Sequence, residues 1–251
     1  GFDRPLPVQY YHWLSKALQG DFGMSIYLKT EVSDIIVKRA PTTMILGACA
    51  LAFALILSIP LGVLAAMFPN TILDRTALTI AVIGQALPSF FFALILIIVF
   101  GVWLRWLPIS GHASWLNFIM PSIALGYYAT PAIMRLTRAG MMDVMASDYI
   151  RTARAKGLRP RTVLFKHALR NAIIPVVSLS AVQLGFMLGG SIVIETIFSL
   201  NGLGNLAWQS IQRSDFEVMQ AIVLSVASFY IVLTFLADML NAFLDPRIRV
   251  H

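Results

Sequence analysis

Long uncharged runs alternate with short polar segments along this chain. The runs lie near residues 42–67, 76–104, 116–134, 171–194 and 218–240. Each run can supply the ~20 apolar residues that a helix needs to cross a bilayer. None shows the strict alternation of a barrel strand, and helices and closed barrels are the backbones that lipid tolerates. The pattern therefore predicts an all-α polytopic membrane protein with five spans.

The composition agrees with that class. The chain of 251 residues is 58% hydrophobic and 12% charged, whereas about a quarter of the residues of a soluble domain are charged. Its single cysteine, Cys49, lies in an apolar run, which excludes a disulfide framework and a Cys-based metal site. The four histidines are scattered without the spacing of metal ligands: His12, His112, His167 and His251. We therefore expect no metal site in this chain.

Positive charge is concentrated in one loop. The segment 135–170 holds nine of the nineteen Lys and Arg residues, and Arg75, Arg247 and Arg249 fall on the same side of the predicted spans. Because cytoplasmic loops carry the excess of Lys and Arg, we predict that 135–170 and the C-terminus are cytoplasmic and that 196–217 is external. The net charge of +7 then follows from membrane orientation and requires no nucleic-acid partner.

Residues 1–39 precede the first predicted span and are expected to form an external segment. Within them, 31–39 is amphipathic and predicts an interfacial helix that leads into the span. Five spans would leave Gly1 outside the cell. We therefore expect an upstream span in the natural protein, which would return its N-terminus to the cytoplasm.

The basic loop has the pattern of two short helices. Ser147 or Asp148 can cap the first helix, whose acidic first turn suits the helix dipole. Gly157 is placed to end this helix as the residue after the C-cap. Pro160 then fits the first turn of a second helix. Two short docked helices are the structure that this punctuation predicts.

The second of these helices is predicted to place Phe165 and Leu169 on one face and Val163 and His167 on another. Positive side chains are distributed over both helices: Arg151, Arg154, Lys156, Arg159, Arg161, Lys166 and Arg170. Such a surface can dock a cytosolic protein, and it can equally rest on anionic lipid headgroups. The residues alone leave both interpretations open.

These residues also resemble a known family. DYIRTARAKG (148–157), followed by KHALRNAIIPVV (166–177), is similar to the EAA loop of ABC-importer permeases. Arg151 and Thr152 stand where the general pattern has Glu and Ala, in the form typical of the dipeptide, oligopeptide, nickel and glutathione branch. Further blocks resemble the same branch: DRPLPVQYYHWL (3–14), GDFGMSI (20–26), LPSFFFALILI (87–97), WLPISG (106–111), GGSIVIETIFSLNGLG (189–204) and LDPRIR (244–249).

The resemblance implies a permease fold over residues 40–251, six spans in the whole subunit and a cytoplasmic coupling loop at about 143–170. In that family the loop forms a helix that sits in a cleft of a separate ATPase. The residues that correspond to this coupling helix are Asp148, Tyr149, Arg151, Thr152, Ala153, Ala155 and Gly157.

The resemblance also implies partners and a location. The expected partners are a second homologous permease subunit, two cytoplasmic ATPase subunits, an external solute-binding protein and membrane lipids. The location would be the cytoplasmic membrane of a bacterium or archaeon. ATP and Mg would be bound by the ATPase subunits, so we expect no cofactor in this chain. Peptides are the commonest cargo of the branch, with glutathione, nickel and opines as alternatives.

The sequence carries no pattern of an enzyme. A P-loop of the form GxxxxGK[ST] does not occur, and no nucleophile–base pairing is recognisable. We therefore predict a non-catalytic subunit. A secondary transporter or channel is an alternative class, although it would need buried coupling groups or inverted repeats. A membrane anchor would explain the basic loop but not the spans rich in small residues and proline.

Four further residues near the predicted spans are candidates for a role in transport. Gly185 and Gly189 form a GxxxG step, which lets helices approach closely, and they either pack or line the transport path. Glu195 follows at the predicted external end of the same span, as a gate residue or as an interfacial cap. Asp238 lies within the last span, where an ionisable group is costly, and we expect it to be paired.

Overall fold

A computed structural model describes residues 3–244, and this part of the chain is built from helices. Within the described range, the only extended pairing is an isolated antiparallel bridge between Met24 and Glu31. The predicted cytoplasmic tail with Arg247 and Arg249 lies outside the described residues. The α-helices are α1 (Leu6–Leu18), α2 (Val32–Met67), α3 (Ile72–Ala86), α4 (Ser89–Leu96), α5 (Ile119–Gly126), α6 (Thr130–Met145), α7 (Asp148–Ala155), α8 (Pro160–Thr162), α9 (Arg170–Ala172), α10 (Ile174–Ile197), α11 (Leu203–Gln212) and α12 (Phe216–Leu244).

Helix α2 continues without a break through 36 residues. It contains Pro41 and Pro60, whose missing N–H groups membrane helices tolerate. The predicted interfacial helix at 31–39 is the first part of this same helix. At 1.5 Å per residue, α2 is longer than the ~30 Å hydrocarbon core of a bilayer, so it extends beyond the membrane.

Three described helices are long and apolar enough to cross a membrane. They are Val32–Met67, Ile174–Ile197 and the part of α12 over Phe216–Leu240. They match three of the five predicted spans, namely those near 42–67, 171–194 and 218–240.

The other two predicted spans are not single continuous helices. The stretch 76–104 is broken after α3, because Pro88 has no N–H and holds Leu87 in an extended conformation, with φ −92° and ψ 130°. Helix α4 then widens into a π-helix over Ile97–Trp103. The stretch 116–134 begins as a 3-10 turn and extends through α6, well past its predicted end.

The helix ends meet at two ends of the molecule. At one end lie the turn 68–71 and the segment 143–172, which carries seven exposed Lys and Arg residues; we call this the basic end. At the opposite end, the segments 21–31, 104–118 and 198–215 contact one another, for example through a 3.0 Å hydrogen bond from the backbone N–H of Gly111 to the carbonyl of Phe198. We call this the tryptophan end, because all five tryptophans lie on these segments or on helices that lead into them: Trp13, Trp103, Trp106, Trp115 and Trp208.

The main apolar core lies between α2, α4, α5 and α10, with Leu46, Met120 and Ile194 among its buried members. The helices pack closely because small residues stand at their crossings. A methyl group on Gly126 would overlap the carbonyl oxygen of Ala50 on α2. This core supports the tryptophan end, whereas a separate apolar cluster lies under the basic end.

Candidate functional site

Helix α7 begins where the sequence predicts, but its start is not capped by a side chain. Ser147 has the extended backbone of an N-cap residue, and Asp148 is the first helical residue. The hydroxyl of Ser147 donates to the preceding carbonyl of Val144 instead of accepting from the helix. The predicted cap by Ser147 or Asp148 is therefore wrong, while the acidic first turn is present.

The end of α7 is closed by backbone atoms alone. Gly157 follows the C-cap residue Lys156 and has a φ of +74°, which glycine adopts without strain. The N–H of Gly157 donates to the carbonyl of Arg154 at 2.9 Å. The N–H of Leu158 donates to the carbonyl of Ala153 at 3.4 Å. This pair of bonds is a Schellman motif, as the placement of Gly157 predicted.

The second helix begins at Pro160 as predicted, but its faces differ from the prediction. A π-helix covers Val163–Leu169, so buried positions recur every five residues rather than every three or four. Val163 and Ala168 are buried, whereas Phe165 is 60% exposed. The predicted face of Phe165 and Leu169 is therefore split, because the wider turn rotates them apart.

The described geometry separates the seven predicted coupling residues into two groups. Ala153 is buried with Ile150 against Val63 of α2 and Met141 of α6. The other six are exposed on α7 and its end: Asp148, Tyr149, Arg151, Thr152, Ala155 and Gly157. Ala153 therefore packs α7 against the rest of the chain. The six exposed residues form a surface that faces away from the chain, which we call the α7 surface.

Tyr149 joins the two short helices. Its hydroxyl accepts a 2.8 Å hydrogen bond from the side-chain amide of Asn171. A methyl group on Gly157, by contrast, would meet no atom of the chain within 4 Å. The contact between the two helices therefore does not depend on the absence of a side chain at Gly157.

The α7 surface is strongly basic. The seven positive residues of the loop are all exposed, and within the described chain their one ion pair is between Arg151 and Asp148, at 3.3 Å. The rest of the positive charge is therefore available to an acidic partner.

A buried ion pair that the sequence analysis did not identify stands beneath this end. Arg138 of α6 binds Asp74 of α3 with two hydrogen bonds of 2.8 and 2.7 Å. The N–H of Asn70 donates to the same carboxylate at 2.9 Å. These donors, Arg138 first, lower the pKa of Asp74. The pair ties the turn 68–71 to the helix that leads into α7.

The GxxxG step on α10 has two different surroundings. A methyl group on Gly185 would overlap the ring of Tyr230 on α12, whereas one on Gly189 would meet nothing within 4 Å. Both glycines line a cavity of about 540 Å³ between α10, α11 and α12. Gly185 is therefore a packing residue, and Gly189 leaves space open.

Glu195 lies at the centre of a buried network rather than at a surface. Its side chain has no exposed area. Thr43 of α2 donates to it at 2.7 Å, and the N–H of Asn205 in the first turn of α11 donates at 2.9 Å. Thr43 in turn accepts from the N–H of Leu203 at 2.8 Å. Glu195 thus joins α2, α10 and α11, and it caps the first turn of α11 from the interior.

Two glycines make room for this carboxylate. A methyl group on Gly202 would overlap Glu195 and lie 2.6 Å from the hydroxyl of Thr43. One on Gly204 would lie 2.7 Å from the backbone of Ile192 on α10. The turn at 201–205 therefore folds closely over α10.

Two further polar groups occupy the tryptophan end. Arg39 donates to the side-chain carbonyl of Asn201 at 2.9 Å, and Ser25 donates to Asp215 at 2.5 Å. Asp238, which we expected to be paired, is exposed on α12 and has no ion-pair partner among residues 3–244. The charged residues that organise the structure therefore lie outside the last span.

Comparison with known proteins gives consistent matches. Residues 58–250 match the family described as "Binding-protein-dependent transport system inner membrane component". The chain is 43% identical over 249 residues to the glutathione transport system permease protein GsiC of Pectobacterium atrosepticum, covering 99% of this chain and 81% of that protein. The protein of the same name from Escherichia coli strain K12 gives the same identity and coverage.

Solved structures share the fold at low identity. An inward-facing conformation of the MetNI methionine ABC transporter has a TM-score of 0.70 and 19% identity, covering 84% of this chain and 96% of that one. An amino acid ABC transporter with histidines has a TM-score of 0.58 and 18% identity, covering 86% and 94%. Both similarities concern the arrangement of helices.

Proposed function

The chain belongs to the family of inner-membrane components of binding-protein-dependent transport systems, and from that premise we propose that it forms half of an import path for peptides or peptide-like solutes such as glutathione. As a member of this family it is a multi-pass permease subunit of an ABC importer. The observation that carries the proposed cargo is the 43% identity to glutathione permeases along 99% of the chain.

We propose four protein partners for the complete transporter: a second permease subunit, two ATPase subunits and an external binding protein. ATP and Mg would be bound and hydrolysed by the ATPase subunits. The exposed, basic α7 surface supports a docking role, because its fold is completed by buried apolar contacts and backbone hydrogen bonds. Its charged side chains are therefore free to contact a partner.

The orientation is also a proposal. We infer that the basic end faces the cytoplasm and the tryptophan end faces outward, because Lys and Arg are concentrated at the basic end. Thiol labelling in a Cys49→Ser background tests this assignment. Cysteine introduced at Arg159 should resist an impermeant reagent added outside intact cells, and its labelling from outside would reverse the orientation.

Reconstituted vesicles test the function itself. The four partners and this subunit should give uptake of labelled glutathione or a short peptide that requires ATP and the binding protein. The subunit alone should hydrolyse no ATP. Uptake that continues without ATP but follows an ion gradient would instead identify a secondary transporter, the principal alternative class.

A further inference from the structure

Three polar side chains from separate segments meet at the tryptophan end without a role in the Glu195 network. Arg39 comes from α2, Asn201 from the turn before α11, and His112 from the loop 104–114. Arg39 donates from Nη1 to Oδ1 of Asn201 at 2.9 Å, and Nδ2 of Asn201 lies 3.4 Å from Nε2 of His112. His112 and Asn201 are exposed, and Arg39 is half-buried. The cluster is therefore open to solvent on one side.

Arg39 has more hydrogen-bonding capacity than the chain uses. A guanidinium group has five N–H donors, and among the described residues only Asn201 accepts from one of them. No described carboxylate lies within 4 Å of it, since Arg39 forms none of the ion pairs of this part of the chain. A half-buried guanidinium group with unused donors is stabilised by an anionic ligand that accepts hydrogen bonds from its remaining N–H groups.

Glu195 attracts Arg39 but does not neutralise it by contact. The two groups are within electrostatic range, yet the carboxylate is held by Thr43 and Asn205. The negative charge of Glu195 weakens the attraction of Arg39 for a bound anion. A binding point on a transport path benefits from this balance, because a solute must leave it as readily as it enters.

Asn201 is oriented to supply a second donor. Its oxygen accepts from Arg39, which turns its NH₂ group toward His112 and the solvent. A guanidinium group and an amide NH₂ group held this close together can donate to the two oxygens of one carboxylate.

We propose that Arg39 and Asn201, with His112 at the rim, bind a carboxylate group of the transported solute. This inference rests on the proposed function, since peptides and glutathione carry carboxylates. Arg39 stands one helical turn before Thr43 on α2, and Thr43 lines the cavity of about 540 Å³ beside α10. None of the three cluster residues lines the cavity itself, but Leu203 and Gly204, which follow Asn201 closely along the chain, do. The cluster is therefore connected to the cavity through neighbouring residues, at the end of the molecule where we place solute entry.

Direct binding tests the proposal. The complete transporter, free of nucleotide and of the binding protein, is placed in lipid nanodiscs and titrated calorimetrically with glutathione and with glutathione amidated at both carboxyl groups. The wild type should bind the carboxylate form at least about 10-fold more tightly. Arg39→Gln should weaken the binding of the carboxylate form by about 10- to 100-fold, as expected for loss of a charged hydrogen bond. It should change the affinity for the amide form little.

Two variants separate binding from structure. Asn201→Asp keeps an acceptor for Arg39 but replaces the free NH₂ with a negative charge, so it should abolish the preference for the carboxylate form while the thermal unfolding temperature is retained. Lys38→Gln removes the same charge from the neighbouring, exposed position on α2 and should leave both affinities unchanged. If Arg39 serves only to stabilise the turn that contains Asn201, the Asn201→Asp variant should have the same affinities for both forms as the wild type.

Each result decides one question. A wild type that binds both forms equally, or binds neither, overturns the carboxylate site, as does an Arg39→Gln variant that loses both forms equally. Uptake in reconstituted vesicles judges the proposed function separately. Absence of ATP-driven uptake of glutathione and of short peptides by the wild type rejects the proposed cargo, whatever the titrations give.

Discussion

The two ends of the molecule use charge in opposite ways. At the tryptophan end, Glu195 is fully buried and receives hydrogen bonds from Thr43 on α2 and Asn205 on α11. At the basic end, the side chains of Asp148 and Arg151 are 91% and 81% exposed. The charge of Glu195 therefore holds helices together in the interior, whereas the charges of the α7 surface remain exposed to solvent and to partners.

This difference separates stability from recognition. Removing a buried acceptor leaves its donors without partners, which costs free energy. An exposed ion pair contributes little, because water and salt screen it. Substitutions in the Glu195 network should therefore change the stability of the fold, and those on the α7 surface should change coupling with little change in stability.

The largest effect on the free energy of unfolding is expected for Glu195→Ala. It leaves the hydroxyl of Thr43 and the N–H of Asn205 unpaired in the interior, at a cost of about 3 kcal/mol or more. Glu195→Gln keeps an oxygen acceptor and should cost less. Thermal unfolding of the purified transporter in nanodiscs measures both, and an alanine variant as stable as the wild type would contradict the role of Glu195 in holding the helices together.

Gly202→Ala should have the next largest effect. Its methyl group would overlap Glu195 and crowd Thr43, and overpacking of this kind costs about 1–3 kcal/mol. Gly189→Ala is the matched control, because a methyl group there meets nothing within 4 Å. Equal unfolding temperatures for the two variants would show that the turn over α10 adjusts without cost.

Asp74→Asn tests the ion pair beneath the basic end. Because Arg138 lowers the pKa of Asp74 in the folded state, the pair stabilises the protein fully above the unfolded-state pKa. This contribution, about 1–3 kcal/mol, is lost as pH falls through the lowered folded-state pKa. The stability difference between wild type and variant should therefore shrink in acid. A difference that is independent of pH down to acid denaturation would refute the assignment.

Gly157→Val should change stability by only about 1 kcal/mol, the cost of a side chain at positive φ. Its isopropyl group would project into the open space where we place the ATPase, so ATP hydrolysis should be uncoupled from uptake. Gly157→Asn is the control, since Asn tolerates this conformation. Normal coupling in the valine variant would remove the docking assignment and favour a lipid-bound surface.

The smallest change in stability is expected for Arg151→Glu. The residue is exposed, so the unfolding temperature should be unchanged while ATPase stimulation by the binding protein is lost. Lys166→Glu, an equal charge change on the second helix, separates docking from lipid attraction. A lipid-held surface would respond equally to both substitutions.

Features determined by single residues were predictable from the sequence. Gly157 and Pro160 mark the end of one helix and the start of the next, because a positive φ and a missing N–H are properties of those residues themselves. Three of the five apolar runs likewise correspond to helices that can cross a membrane. The helical class followed from the same pattern.

Features that depend on distant residues were not predictable in this way. Thr43 and Glu195 are 152 positions apart, and only the glycines of NGLGN near Glu195 hinted that a group packs closely there. The π-helix at Val163–Leu169 changes which residues share a face of the second short helix, and no residue type in the sequence identifies such a turn. Asp74 and Arg138 were each interpretable as surface charges until the fold brought α3 and α6 together.

The placement of the five tryptophans makes the chain's intrinsic fluorescence specific to one region. Tryptophan emission from the subunit reports on the tryptophan end, because the basic end has no tryptophan within residues 3–244. Excitation of tryptophan can therefore monitor the tryptophan end, where we propose that solute enters, without interference from events at α7. Phe165→Trp, at an exposed position on the second short helix, would add a single emitter there, so the order of events at the two ends could be timed in one molecule.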